Sequence, residues 1–381
     1  MKRILILGST GSIGRNVLDV IKKHKDKFKV VGLSAKSNLK LLKKQLEDFD
    51  APYGCIVDTN YKNIRLKKSK ILYSEEGLLE IIELTKPDIL INALVGISGL
   101  KPLFYAIEKK IPYIALANKE SIVVGGELLK EKLKNKNSKI IPIDSEHSAL
   151  FQCLKNESIN NVEKVIITAS GGPLFKKKIK IKTVKNIIYH PIWKMGKKIS
   201  VDSATMVNKG FECIEAHYLF DIPYEKIDIL IHPQALIHSF VKFIDGNVLA
   251  CLFYPDMRIP ISYALGCLEE RIENFAKKID LLMLNKVEFY KPNYRKFPLL
   301  KILLDCVKTN YNSYLIAFNT ANEVLVEKFI DGKIKFEEIL KYLKIIISKH
   351  KPKKVNSLEE IFEIHKEVKK EVEQIISKWV Y

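Results

Sequence analysis

The stretch Arg3-Ile4-Leu5-Ile6-Leu7-Gly8-Ser9-Thr10-Gly11-Ser12-Ile13-Gly14 decides the reading of the N-terminal third of the chain. Its apolar run predicts a strand over Arg3 to Leu7, a G-x-x-G-x-x-G loop follows, and spaced apolar residues through Val17 to Ile21 predict a helix. Glycines let a backbone approach a pyrophosphate, and a helix N-terminus turns unpaired N–H groups and partial positive charge toward it. A glycine loop alone also reads as a tight turn. Directly after a first strand and before a helix, it reads as a dinucleotide site.

Working outward, short apolar runs predict further strands at Lys29 to Leu33, Gly54 to Val57, Ile89 to Ile91, Tyr113 to Leu116 and Lys139 to Ile141. Lysine-rich amphipathic segments between them predict helices covering a parallel sheet buried on both faces. Beyond Pro142 the pattern shifts to strands such as Val162 to Ala169 and Ile227 to Ile231, separated by loops dense in His, Ser, Gly and Pro. From about Tyr290 apolar residues recur at helical spacing over Ser313 to Ile330, Lys335 to Ser348 and Leu358 to Trp379. The expected architecture is α/β: a Rossmann-like dinucleotide-binding domain over 1–141, a central α/β catalytic domain over 142–289, and a C-terminal α-helical domain over 290–381.

The 381 residues exceed one ordinary core, and 47% hydrophobic with 28% charged residues is globular composition. A net charge of +20 suggests anionic partners, although much of the excess lies in short lysine runs such as Lys176 to Lys178 and reads rather as compositional bias. With no zinc-finger or RNP-type motif, nucleic acid is not expected as a partner. The 6 cysteines (Cys55, Cys153, Cys213, Cys251, Cys267 and Cys306) form no C-x-x-C pair, which fits a reducing cytoplasm. Ile4 to Leu7 is too short for a signal sequence, and no apolar stretch reaches the roughly 20 residues of a membrane span, so no membrane association is expected.

NAD-binding folds place Asp or Glu after the second strand to accept the ribose hydroxyls. Here that position reads Leu33-Ser34-Ala35-Lys36-Ser37-Asn38, without a carboxylate. Lys36, Ser37 and Asn38 suit a 2′-phosphate, which predicts NADPH over NADH. Lys36 as one more exposed lysine is the alternative.

Asp144-Ser145-Glu146-His147 follows a predicted strand, at the carboxyl end where α/β ligands gather. Two carboxylates there suit a hard cation, Mg2+ or Mn2+, if a third ligand exists. Val201 to Glu215 supplies candidates: read as one helical segment with Ser203 near its start, it sets Asn208, Glu212 and Glu215 on one face. Spacing does not choose between Glu212 and Glu215. Thr168-Ala169-Ser170-Gly171-Gly172-Pro173 suits an anion-binding nest. His190-Pro191-Ile192-Trp193-Lys194-Met195-Gly196 reads either as a surface turn pinned by its Trp or as a lid.

Taken with Ala117 to Ser121 (ANKES), Ile143 to Ala149 (IDSEHSA) and His232 to Ser239 (HPQALIHS), these blocks resemble, in order, the signatures of the 1-deoxy-D-xylulose 5-phosphate reductoisomerase family. The resemblance implies an oxidoreductase of isoprenoid precursor biosynthesis. Its reaction would be isomerisation of 1-deoxy-D-xylulose 5-phosphate and reduction by NADPH to 2-C-methyl-D-erythritol 4-phosphate, with a divalent cation as Lewis acid. It implies Asp144, Glu146 and Glu212 as metal ligands, resolving the choice against Glu215. It places Ser170, Ser203, Asn208, Lys209 and His190 around the substrate phosphate, Ser145 and Lys119 at the polyol end, and Trp193 and Met195 in a closing flap. Lys119 and His190 join the three carboxylates as the catalytic set. Thr10, Gly11, Ser12, Ile13, Asn118, Glu120 and Gly196 would contact NADPH, and the assembly would be a homodimer. One departure stands out: the family pattern after the second strand is Ala-Gly-Lys-Asn or similar, so the basic residue of Ala35-Lys36-Ser37-Asn38 is shifted by one and the 2′-phosphate contact falls to Lys36, Ser37 or both.

Overall fold

A computed structural model of the protein describes residues 1–134, 137–175, 182–193, 195–266, 269–309 and 311–379. The lysine run Lys176 to Lys178, Lys194 and Cys267 lie outside them. The described chain forms two compact units, one from residues 1–121, 129–148 and 256–278, the other from 122–128, 149–255 and 279–381.

Along the first unit run β1 (Lys2–Leu7), α1 (Ser12–Lys23), β2 (Phe28–Ala35), α2 (Leu39–Asp48), β3 (Tyr53–Ile56), β4 (Lys70–Tyr73), α3 (Ser74–Thr85), β5 (Ile89–Asn92), α4 (Leu100–Glu108), β6 (Tyr113–Leu116), the ends of α5 (Lys119–Lys134), and β7 (Lys139–Pro142). The strands form one parallel sheet in the order β4-β3-β2-β1-β5-β6-β7. Because the chain moves outward from β1 to β4 and then returns beside β1 as β5, the direction of winding reverses between β1 and β5. That switch point is where open α/β sheets bind ligands, and the glycine loop leaves β1 there. The strands are buried on both faces, which explains their unbroken apolar runs: Ile4, Ile6, Ile89 and Ile91 are fully buried against Val17 and Ile21 of α1. Each such side chain contributes about 1.5–3 kcal/mol of burial. β4 was not foreseen; four residues at the sheet edge, after a polar stretch, carry little periodic signal.

The second unit holds a four-stranded sheet ordered β11-β10-β8-β9, with β8 (Val162–Ala169), β9 (Ile227–Ile231), β10 (Ile237–Phe243) and β11 (Val248–Leu252). Only the β8–β9 pair is parallel. Between them come α6 (Ser145–Cys153, its first turn in the first unit), α7 (Val184–Ile188), α8 (Lys197–Thr205) and α9 (Val207–Phe220). α10 (Arg258–Gly266) returns to the first unit, where Ile261, Ala264 and Leu265 enter its core. The C-terminal part is helical as expected: α11 (Pro298–Val307), α12 (Ser313–Ile330), α13 (Phe336–Lys349) and α14 (Leu358–Trp379), with α12 buried along most of its length.

The reading of Val201 to Glu215 as one helix is corrected. Met206 adopts a left-handed conformation (φ 62) and splits it into α8 and α9, so Ser203 lies in the last turn of α8 rather than near a helix start. Thr205 explains the break. Its hydroxyl bonds back to the Val201 and Asp202 carbonyls and accepts from the Val207 N–H, ending one helix and opening the next. Among the described residues no helix is long and apolar enough to cross a membrane.

Candidate active site

In the nucleotide loop, Gly8 has φ +87, and a Cβ there would lie 2.6 Å from the Ala93 carbonyl oxygen. A Cβ on Gly14 would collide with the Gly8 carbonyl and the Ser9 backbone. Only glycine lets β1, the loop and α1 meet this closely. α1 has no side-chain cap and no acidic residue in its first turn, so its N–H groups and positive dipole end remain available to an anion. The loop is held from behind by residues that the sequence reading missed. Ser9 donates to Gln45 Oε1 of α2 at 2.7 Å, Gln45 Nε2 returns a 3.0 Å bond to the Ser9 carbonyl, and the Ser34 hydroxyl accepts from Gly8 N. The available signal was Gln45 itself, a polar residue on the face that buries Leu42 and Leu46.

Lys36, Ser37 and Asn38 are exposed beyond the end of β2. Asn38 has a structural task there, since its Oδ1 caps α2 by accepting from Leu41 N at 3.1 Å. Asn118 is fully buried and donates from Nδ2 to the Leu94 and Gly96 carbonyls, each at 2.9 Å, while its Oδ1 accepts from Ser121 N. Its side chain therefore fixes the loop after β5 to the start of α5. Glu120 is buried beside it.

At the carboxyl end of β7, Asp144 precedes α6 and Glu146 stands in its first turn, where the helix N-terminus favours negative charge. Asp144 Oδ1 accepts from Ser145 N at 3.0 Å, and Oδ2 pairs with the Lys119 ammonium, which is 6% exposed. The Ser145 hydroxyl donates to Glu146. A carboxylate largely withdrawn from water calls for a partner of opposite charge; for the half-buried Asp144 the buried Lys119 provides it, and the donors on offer are oxygens of the kind that hold Mg2+ or Mn2+.

In the second unit, Ser170 opens the loop after β8, and the buried Gly171 and Gly172 that follow it both have positive φ. His190 Nδ1 accepts from the backbone N–H groups of Trp193 (2.9 Å) and Ile192 (3.2 Å), which fixes the proton on Nε2. Nε2–H then donates to Ser170 Oγ at 2.9 Å, and Gly172 N does so at 3.3 Å. With its lone pairs engaged, the Ser170 O–H is directed outward as a donor. Burial pushes the His190 pKa down to about 4, so the ring is neutral at physiological pH. In α9, Asn208 Nδ2 donates to Glu212 Oε1 at 2.6 Å, and Lys209 pairs with Glu212 Oε2, both ions buried. Trp193 meets His238 edge-on at 6.0 Å between centroids, and His238 in turn stacks on Phe253. Gly196 caps α8 with open space around it, and Met195 is half-buried. Glu215 is buried one turn beyond Glu212.

Three family models match along the chain: 1-deoxy-D-xylulose 5-phosphate reductoisomerase over residues 4–126, its C-terminal domain over 140–220, and the DXP reductoisomerase C-terminal domain over 252–371. A protein of Thermodesulfovibrio yellowstonii named 1-deoxy-D-xylulose 5-phosphate reductoisomerase is 46% identical over 369 residues, covering 95% of this chain and 96% of its own. The chain belongs to the 1-deoxy-D-xylulose 5-phosphate reductoisomerase family. A second relative so named, from Clostridium novyi, is 41% identical over 379 residues, with 97% of this chain and 98% of the relative covered. The reductoisomerase of Zymomonas mobilis, solved in complex with NADPH, superposes with a TM-score of 0.89 at 35% identity, covering 98% of this chain and 99% of that one. A DOX-P reductoisomerase solved with NADPH, fosmidomycin and magnesium gives a TM-score of 0.92 at 35% identity, covering 99% and 98%.

Reductoisomerase membership accounts for the order of the sequence blocks. The two units each hold part of them: the glycine loop, Lys119, Asp144, Ser145 and Glu146 in the first, Ser170, His190, Trp193, Met195, Ser203, Asn208, Lys209 and Glu212 in the second.

Proposed function

We propose that this chain carries out the reductoisomerase reaction, converting 1-deoxy-D-xylulose 5-phosphate to 2-C-methyl-D-erythritol 4-phosphate with NADPH and a divalent cation, Mg2+ or Mn2+, in isoprenoid precursor biosynthesis. The observation that carries this reading is a likeness of 46% over 95% of the chain to a named reductoisomerase. When bound, the cation supplies Lewis acidity at the substrate oxygens and NADPH supplies hydride. Asp144, Glu146 and Glu212 are the proposed metal ligands, an all-oxygen set suited to a hard cation. Asp144 and Glu212, half-buried and buried, each pair with a lysine, Lys119 or Lys209, which compensates the charge until a ligand does so.

Ser170, Ser203, Asn208 and Lys209 bind the substrate phosphate in this reading, with neutral His190 orienting the Ser170 hydroxyl toward it. Lys119 and Ser145 bind the polyol end, and Trp193 and Met195 close over the substrate. Holding the phosphate at a distance from the reacting carbons positions them without requiring that the phosphate react. Thr10, Gly11, Ser12 and Ile13 receive the pyrophosphate; Lys36 and Ser37, with the Asn38 amide, receive the 2′-phosphate; Asn118, Glu120 and Gly196 shape the remainder of the cofactor site. The division of labour follows residues 1–141 for NADPH, 142–289 for metal, substrate and flap, and 290–381 for helical support. We place the enzyme in the cytoplasm as a homodimer. The support for dimerisation is edge strand β11, whose Val248 and Leu249 are 52% and 45% exposed.

The test is absorbance of the reduced nicotinamide with substrate and either metal, with and without chelator, and with NADH in place of NADPH. Chelator-sensitive oxidation that favours NADPH is expected. Oxidation insensitive to chelator would refute the metal role, and equal efficiency with NADH would refute the assignment of Lys36 and Ser37.

A further inference from the structure

Asp202, directly before Ser203 in α8, is 2% exposed. Its Oδ1 accepts a 2.8 Å bond from Asn322 Nδ2 of α12, and its Oδ2 faces Lys198 Nζ at 2.9 Å, one turn back along α8. Asn322 is fully buried, and its own Oδ1 has no hydrogen-bond partner among the described residues. Turning the amide over would set that oxygen against the carboxylate, so the bond to Asp202 fixes its orientation although one polar atom is left unsatisfied. One turn before Asn322, Phe318 packs edge-on against Phe211 of α9. Gly172, in the loop that carries Ser170, also approaches α8 so closely that a Cβ there would lie 2.6 Å from the Ser203 carbonyl oxygen. The last turn of α8 is thus contacted both by the Ser170 loop and by the C-terminal helix α12.

We infer that Asn322 is a positioning residue for phosphate binding, holding Asp202 and through it the turn that presents Ser203. Lys198 supplies the counter-charge and Asn322 the hydrogen bond, so a carboxylate one residue from a phosphate ligand does not swing toward an incoming dianion. This gives the C-terminal helices a share in substrate recognition although none of their residues is assigned to the substrate. The inference rests on the proposed role of Ser203.

The experiment compares Asn322→Ala, Asn322→Asp and the exchanged pair Asp202→Asn with Asn322→Asp, using 1-deoxy-D-xylulose 5-phosphate and its phosphate-free counterpart as substrates. Ser203→Ala is the reference variant. Asn322→Ala should raise KM for the phosphorylated substrate about tenfold, with kcat and the rate on the phosphate-free substrate within about twofold. Asn322→Asp should do more through like charge, and the exchanged pair should recover most of the loss because amide and carboxylate have traded places. Equal losses on both substrates, or no recovery in the exchanged pair, would reduce Asn322 to general support of the fold and overturn the inference. If Ser203→Ala raises KM and the Asn322 variants do not, the inference alone fails. If Ser203→Ala leaves KM unchanged, the phosphate assignment fails and the inference with it. A variant that does not fold, judged by its thermal melt, is replaced by Asn322→Ser, for which the same rise in KM is expected.

Discussion

At Gly8 to Gly14 the groups offered to an anion are backbone N–H groups and a helix end, set by glycines that tolerate no Cβ, whereas at Ser170, His190 and Lys209 they are side chains set by one another. The first arrangement is rigid before any ligand arrives, because its donors belong to the strand-turn-helix geometry. The second is a network in which Lys209 and Asn208 already hold Glu212, and His190 already holds Ser170. A ligand can enter the first without breaking contacts. Under the proposed assignment, entry into the second exchanges internal ion pairs for bonds to phosphate and cation, which would make that region selective for a ligand carrying both.

The largest expected effect separates the two regions outright. Glu212→Gln removes one proposed metal ligand, and since even outer contacts of metal sites are worth 10- to 100-fold, turnover should fall by more than about 100-fold. NADPH affinity, measured by fluorescence titration, should stay within about twofold. Near-normal turnover would remove Glu212 from the ligand set. The converse is Gly14→Ala, which forces a Cβ into the Gly8 carbonyl: overpacking of about 1–3 kcal/mol predicts NADPH binding weaker by about 10- to 100-fold. Binding of the phosphorylated substrate to that variant should be unchanged, and parallel losses would show that the two regions are not independent.

A smaller effect is expected from Gln45→Ala, which removes both bonds between α2 and Ser9 while leaving every proposed NADPH contact in place. Loss of buried hydrogen bonds predicts NADPH affinity lower by about tenfold, and unaltered affinity would show that the glycine loop needs no support from α2. The smallest is a titration. His190, depressed to about 4, should keep its Nδ1 free of a proton across neutral pH, as read from its nitrogen chemical shifts. Between the ordinary histidine value and about 4 the unfolded chain binds this proton and the folded chain does not, so His190 lowers stability as pH falls through that window and has no effect above it. A midpoint near the ordinary value would contradict the depression by burial, and a proton on Nδ1 of the neutral ring would contradict the tautomer that orients Ser170.

The same contrast explains what could be read in the sequence. The parallel sheet and the helical tail were legible because buried strands and amphipathic helices write their periods directly; β8, β9 and α12 fall at the ranges expected. β4 and β11 were not, because short or exposed strands lack that signal, nor was β10, whose buried face carries His238 and Ser239 among its apolar residues. Glycines announced the nucleotide loop, while its brace did not appear: Gln45 is one polar residue in α2, and its role depends on a contact to Ser9 spanning 36 positions. In the second unit, residue types suggested an anion site, but the break at Met206 and the bond between His190 and Ser170, 20 positions apart, depend on three-dimensional packing that spacing does not encode.

The most direct measurement is the carbon skeleton of the product. With 1-deoxy-D-xylulose 5-phosphate labelled with carbon-13, NADPH and magnesium or manganese, carbon NMR should show a branched polyol phosphate whose carbon–carbon connectivity has changed. A straight-chain alcohol formed with equal oxidation of NADPH would contradict the account, since it would mean that these two anion sites serve a dehydrogenase that reduces its substrate without rearranging it.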